Sequence, residues 1–355
     1  MKQDRLLFLD GLKGIAAIWV ILHHFYLITF PVLPTSWRML EDIPFVNVFF
    51  NGNYAVHLFI IISAFLMTMI MRKNDHILSF QRIIVKRYFR LMIPISVIII
   101  ITCALYYFNF MRIHEFSEIT ENTIIFNFYH NLTPKDFVFA LLFCPLGHSR
   151  VLAPCWMLKY IFIGTFLIMI ICIAIQNVVI KKRVMVYLLV SLLSYYISWN
   201  YVSIVVGMIL YELVCQKGLQ KYMKKWVISI MLITSFTFPV LSPSLFHNIE
   251  WINILSASSL FVAVYFSNHL KRMLSTRIFQ FLGKVSLGVY LVHWPIFCSF
   301  SCTILLREEM TPMNIVSVLL LSTALVIVLS FMYSHYIESK SSKIVDFITQ
   351  YLLKD

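Results

Sequence analysis

The sequence predicts an all-α fold, a polytopic transmembrane bundle of about ten helices with both termini cytoplasmic. Three observations carry that expectation. Of 355 residues, 60% are hydrophobic and only 13% charged, about half the charged share of a soluble domain. Apolar runs near the ~20 residues needed to cross a bilayer recur along the chain. Between them, Lys and Arg crowd into every second connection, as the positive-inside rule requires.

The runs fall at 8–30, 54–71, 91–110, 156–176, 184–199, 201–215, 226–244, 251–268, 285–306 and 314–336. The turn between the fifth and sixth, "SWNYV", is very short, which makes that pair the least secure. The apolar piece 136–146 is too short to span and is expected to re-enter or to lie at the interface. With the amino terminus inside, inner segments hold 22 of the 29 basic residues. Outer segments hold Arg38, Arg112, Lys135, Arg150 and Arg307, and Lys13 and Lys159 fall within spans. The abundant Phe (31) and Tyr (18) suit bundle cores and lipid interfaces. A multi-pass protein of the cell membrane follows, read as a single integral domain over 1–355 with no appended soluble domain.

The same pattern excludes other classes. A net charge of +13 would suggest nucleic acid only if the basic residues clustered on a solvated domain. They sit in short tracts between apolar spans instead. Asp10 and Lys13 interrupt the first apolar run and no small-residue cleavage site follows, so it is not a cleavable signal peptide. The seven cysteines include no CxxC and no Cys/His zinc spacing, so no metal is expected. Cys144 and Cys155 can pair only if both face an oxidising compartment, and nothing else in the chain looks disulfide-built.

The first span, "FLDGLKGIAAIWVILHHFYLITF" (8–30), carries Asp10, Lys13, His23 and His24. Ionisable groups in hydrocarbon cost several kcal/mol, about 3 on insertion scales, so they mark sites more often than accidents. At ~100° per residue Lys13 and His24 lie about 20° apart on one helix face. Asp10 lies about 40° to the other side, and His23 points about 100° away. Lys13 and His24 are separated by about 16 Å along the axis. Two readings of the stripe stand side by side. In one, Asp10 and Lys13 pair at the inner interface while His24 is a hydrogen-bonded packing residue. In the other, the stripe is a functional site.

"FLDGLKGIAAIWVILHHF" is similar to LDGLRGIAALxVxxxH, the opening pattern of the membrane acyltransferase 3 family, bacterial O-acyltransferases of surface polysaccharides. Lys13 and His24 match that pattern's basic residue and histidine. Further resemblances run in family order: "GNYAVHLFIIISAFLMT" (52–68), "KRYFRLMIP" (86–94), "CWMLKYIF" (155–162), "LGKVSLGVYLVHWPIF" (282–297) and "HYIESK" (335–340). Each motif alone is weak, whereas their order and spacing over nearly the whole chain are strong. Three positions depart from the pattern. Lys13 replaces an arginine and loses its planar bidentate fork. Ala64 stands for a glycine, and Ile161 for the carboxylate of WSLxxE.

The resemblance implies transfer of an acyl group, usually acetyl from acetyl-CoA, to a hydroxyl of a cell-surface or lipid-linked polysaccharide. A sugar hydroxyl is a poor nucleophile at neutral pH, so a general base must take its proton, and imidazole suits that task. His24 is the candidate base, or the acyl acceptor of a two-step transfer. Asp10 is about 20 Å away along the axis and better placed to hold Lys13. Matched to the RxxR motif, Arg87 and Arg90 are candidates for the phosphates of CoA, with Lys13 as a further basic group on the donor side. Arg82 and Lys86 are read as topology anchors.

His293 in "YLVHWP" has two readings, packing against Trp294 or support of the site. His57, Trp156 and Tyr290 are read as structural, and Glu338 as a helix-end partner for a basic loop. A transporter or flippase for lipid-linked sugars, or a non-catalytic component of polysaccharide export, is the alternative class. A transporter would show paired broken helices and an internal repeat, neither of which the sequence displays.

Overall fold

The computed structural model describes residues 6–73, 77–126, 128–148, 150–215, 219–240 and 250–352. Lys2, Arg5, Lys217 and Lys354 of the charge count, and 241–244 of the seventh apolar run, lie outside the described residues. The described residues form helices and no strand. The principal helices are α1 (Leu7–Thr29), α2 (Gly52–Lys73), α3 (Ile77–Tyr107), α4 (Pro134–Phe143), α5 (Leu158–Ala174), α6 (Ile180–Ile197) and α7 (Trp199–Cys215). They continue as α8 (Lys225–Thr237), α9 (Glu250–Phe266), α10 (Asn268–Leu274), α11 (Arg277–Ile296), α12 (Cys302–Arg307), α13 (Pro312–Tyr333) and α14 (Ser339–Leu352).

The apolar runs of the sequence, where described, fall largely on these helices, with 251–268 shared by α9 and α10 and 285–306 by α11 and α12, but they are not equal. Among the described residues, six helical stretches are long and apolar enough to cross a membrane, or seven if α9 and α10, bent by 95°, count as one. The helices Trp199–Cys215 and Lys225–Val240 are apolar but shorter. Two boundaries differ from the sequence reading. The third helix begins at Ile77, so the basic tract 82–90 is helical; Lys and Arg are good helix formers, and no Gly or Pro intervenes before Pro94. The chain after Tyr333 does not stop but passes through a π-helical turn, Ser334–Glu338, into α14. Glu338 therefore sits inside a continuous helix, not at its end.

The chain divides into two compact units. The first comprises Met1–Ala16, Glu41–Gln81 and Tyr160–Gly283. Here α7 packs on α2 with small residues at the crossing. A Cβ on Gly207 would come within 2.7 Å of both the Ala64 Cβ and the Ile61 carbonyl oxygen. Position 64 must stay small for the same reason. The start of α1 meets residues 274–283 backbone to backbone: a Cβ on Gly14 would lie 2.6 Å from the Gly283 nitrogen. Two buried polar ties hold this unit. The Glu212 carboxylate accepts from Arg72 (2.8 Å), Arg183 (3.0 Å) and the Tyr187 hydroxyl (3.0 Å). His57, 1% exposed, bonds Glu250 at 2.5 Å through Nε2 and Ser203 at 2.8 Å through Nδ1.

The second unit comprises Ala17–Leu40, Arg82–Lys159 and Lys284–Asp355. In it, α11 runs into a π-helical turn, Phe297–Ser301, before α12. Such a turn leaves backbone groups to be satisfied elsewhere, and the Arg112 N–H donates to the Cys298 carbonyl at 2.8 Å. The Asn122 amide donates to the carbonyls of Leu27 and Ile28, which the end of α1 would otherwise leave open. Pro94 within α3 removes the bond to the carbonyl of Arg90.

Candidate functional site

Four of the five site residues predicted from the sequence fall into two close pairs. Asp10 and Lys13 lie one turn apart on α1, with carboxylate and ammonium 3.9 Å apart. The glycines that flank Lys13 in "DGLKG" seat this end of α1 on neighbouring backbone, so the pair sits on a rigid support. Arg87 and Arg90 are likewise one turn apart on α3. Arg90 is exposed and Arg87 is half-buried. The Arg87 Nε is buried without a hydrogen-bond partner. Lys86, read as a topology anchor, pairs with Asp346 at 2.7 Å. Glu338, matched to the family's closing motif, keeps a buried, unpartnered Oε2, and its charged neighbours are Arg90 and Lys284.

His24 stands further along α1, and what it meets is another histidine. Its ring stacks on that of His293 with centroids 5.0 Å apart and planes inclined at 29°. The Nε2 of His293 lies 3.1 Å from the Nδ1 of His24. Trp294 closes on His24 edge-on at 5.3 Å and is itself flanked by Phe128 at 5.0 Å. His293 is fully buried, whereas His24 is partly exposed. His23 contacts His24 ring to ring at 5.2 Å.

The hydrogen bonds assign the protons. The Nδ1 of His293 lies 2.9 Å from the Val289 carbonyl; a carbonyl only accepts, so that nitrogen carries the hydrogen. In the neutral ring its Nε2 is then an acceptor. The Nδ1 of His24 lies 3.0 Å from the Val20 carbonyl and faces the acceptor nitrogen of His293, so it too carries its hydrogen. One N–H is shared between two acceptors. The Nε2 of His24 is left with a free lone pair, the form a base or nucleophile needs.

The partnership with His293 is what sequence reasoning left undecided. The two rings are 269 positions apart, and no local periodicity links them. The motif "YLVHWP" was the available signal, and it marked the residue without naming its partner.

Several helices long and apolar enough to cross a membrane, with a basic residue and a histidine on the first and a second histidine against that one, fit a membrane protein. The chain belongs to the acyltransferase domain family Acyl_transf_3, whose sequence model matches residues 6–342. It is a membrane acyltransferase. No curated protein sequence matches it, and no solved structure does.

Proposed function

We propose that this acyltransferase moves an acetyl group from acetyl-CoA to a hydroxyl of a cell-surface or lipid-linked polysaccharide. The observation that carries the reading is the His24–His293 pair, which leaves His24 Nε2 unprotonated and oriented. In direct transfer, Nε2 takes the proton of the sugar hydroxyl as its oxygen attacks the thioester carbonyl. The carbon–sulfur bond breaks, and the imidazolium returns the proton to the departing thiolate as free CoA. The same lone pair would serve a two-step route in which His24 carries the acyl group. His293 acts through His24 as a positioning residue.

Arg87 and Arg90 are assigned to the donor phosphates. Arg87 offers an unpartnered N–H, and guanidinium forks match phosphate geometry. Lys13, held by Asp10, supplies a further positive charge about 16 Å down the helix from His24. With the ten apolar runs of the sequence read as crossings, the Lys and Arg distribution supports a molecule with both termini cytoplasmic. A cytoplasmic donor would then serve an acceptor on the outer side.

The test is transfer of radiolabelled acetyl from acetyl-CoA to the surface glycan, with mass spectrometry of that glycan from cells with and without the protein. Acetyl esters that vanish with the gene and return with wild type, but not with His24→Ala, are expected. Glycan whose acylation is unchanged by loss of the gene would overturn the assignment.

A further inference from the structure

We propose that Cys144 and Cys155 form an intramolecular disulfide in the mature protein. All seven cysteines are thiols in the structure. These two belong to one compact unit, are both about 1% exposed, and lie on turns that pack against each other. They sit on two adjoining 3-10 turns, Cys144–Leu146 and Ala153–Met157. A short loop joins those turns, so a bridge would close a ring of about a dozen residues.

The surroundings hold the pair in place. Arg150 within the loop donates to Asp136 at 2.9 Å, and the Val151 carbonyl accepts from the buried Tyr129 hydroxyl at 2.8 Å. The Tyr290 hydroxyl donates to the Pro154 carbonyl, next to Cys155. Gly147, at φ +99°, takes a left-handed turn against the Lys159 side chain. The two turns that carry the thiols are thus held against each other. Cys298 and Cys302 are also near neighbours, but they are successive turns of one helix and close no loop.

Compartment supplies the remaining condition. With both termini inside, the segment 111–155 faces outward, where disulfides form and persist. The inference rests on that orientation and not on the identity of the acyl acceptor. Both thiols are oxidised, losing two protons and two electrons to the disulfide of an extracytoplasmic thiol oxidase, which leaves as a dithiol. Because the sulfurs are buried in the finished fold, the bond must close during folding and afterwards resist reductant.

The experiment blocks thiols with N-ethylmaleimide in intact cells and keeps the reagent present through denaturation, then maps peptides without reductant. Five of the seven cysteines are expected to be alkylated. Cys144 and Cys155 are expected in one linked peptide that separates only when reductant is added after unfolding. Alkylation of all seven, or a linked peptide joining other cysteines, would overturn the proposal. Labelling of an Ile119→Cys variant by a membrane-impermeant maleimide reads the orientation separately. External labelling with free Cys144 and Cys155 removes the disulfide alone, whereas no external labelling removes the orientation as well.

Discussion

His293 holds its Nε2 3.1 Å from the Nδ1 of His24, while the Nδ1 of each ring faces the carbonyl four residues earlier on its own helix. That arrangement fixes which nitrogen of His24 is free. His24→Ala should therefore lower the rate by ~10²- to 10⁴-fold, the range for loss of a general base, while His23→Ala retains much of it. Acetyl transfer in membranes at matched protein amounts measures both. Near-wild-type transfer by His24→Ala would remove the residue from the chemistry.

His293→Phe keeps the ring but loses the acceptor, so His24 keeps only the Val20 carbonyl as partner for its N–H. We expect kcat to fall about ten- to a hundredfold, equivalent to about 1–3 kcal/mol, with little change in the KM for acetyl-CoA. His293→Gln, whose amide oxygen also accepts, should recover part of the loss. Equal activity of the Phe and Gln variants would show that only packing matters at this position.

Arg87→Ala and Arg90→Ala should each raise the KM for acetyl-CoA more than the KM for the glycan. Initial rates with each substrate varied in turn give the comparison. An unchanged donor KM beside a weakened acceptor KM would move these arginines to the acceptor side.

Lys13→Arg should be tolerated and Lys13→Met should not. Methionine leaves the Asp10 carboxylate 3.9 Å from an apolar side chain instead of an ammonium and strips a positive charge from the donor side. The expected loss is about 1–3 kcal/mol, or roughly ten- to a hundredfold in rate. Full activity of Lys13→Met would make the pair an interfacial anchor and nothing more.

Asp136 gives a prediction about pH. Its carboxylate accepts from the Thr133 backbone N–H at 2.8 Å and the Thr133 hydroxyl at 2.7 Å, with Arg150 beside it. Those bonds, the backbone one foremost, hold its pKa below the ordinary carboxylate value. A lowered folded-state pKa stabilises fully above the unfolded value, about 3.9, and the gain is lost as pH falls through the folded value. The Tm difference between wild type and Asp136→Asn should thus be constant at neutral pH and shrink below about pH 4. A difference that persists unchanged into strong acid would show that the carboxylate's charge is not what stabilises this turn.

Much of this protein was legible before any coordinates. Composition and the spacing of apolar runs set an all-helical membrane chain, because hydrocarbon admits only segments that satisfy their own backbone. Helix periodicity placed Lys13 and His24 on one face, and motif order named the family. α3 reaches back to Ile77, well before the apolar run at 91–110, because hydropathy marks only the apolar part of a helix while Lys and Arg let its backbone continue. The π-helical turn at Phe297–Ser301 depends on a neighbouring segment that takes up a displaced backbone bond, whereas the 95° bend between α9 and α10 falls at Ser267, whose side chain caps α10. The partners of His24, His57 and Glu212 belong to the tertiary structure alone, since each joins residues on separate helices. A one-dimensional pattern reports which face of a helix is polar. Which side chain meets it across a bundle is decided by the packing of small residues such as Gly14, Gly207 and Gly283, and that packing sets which backbones can approach.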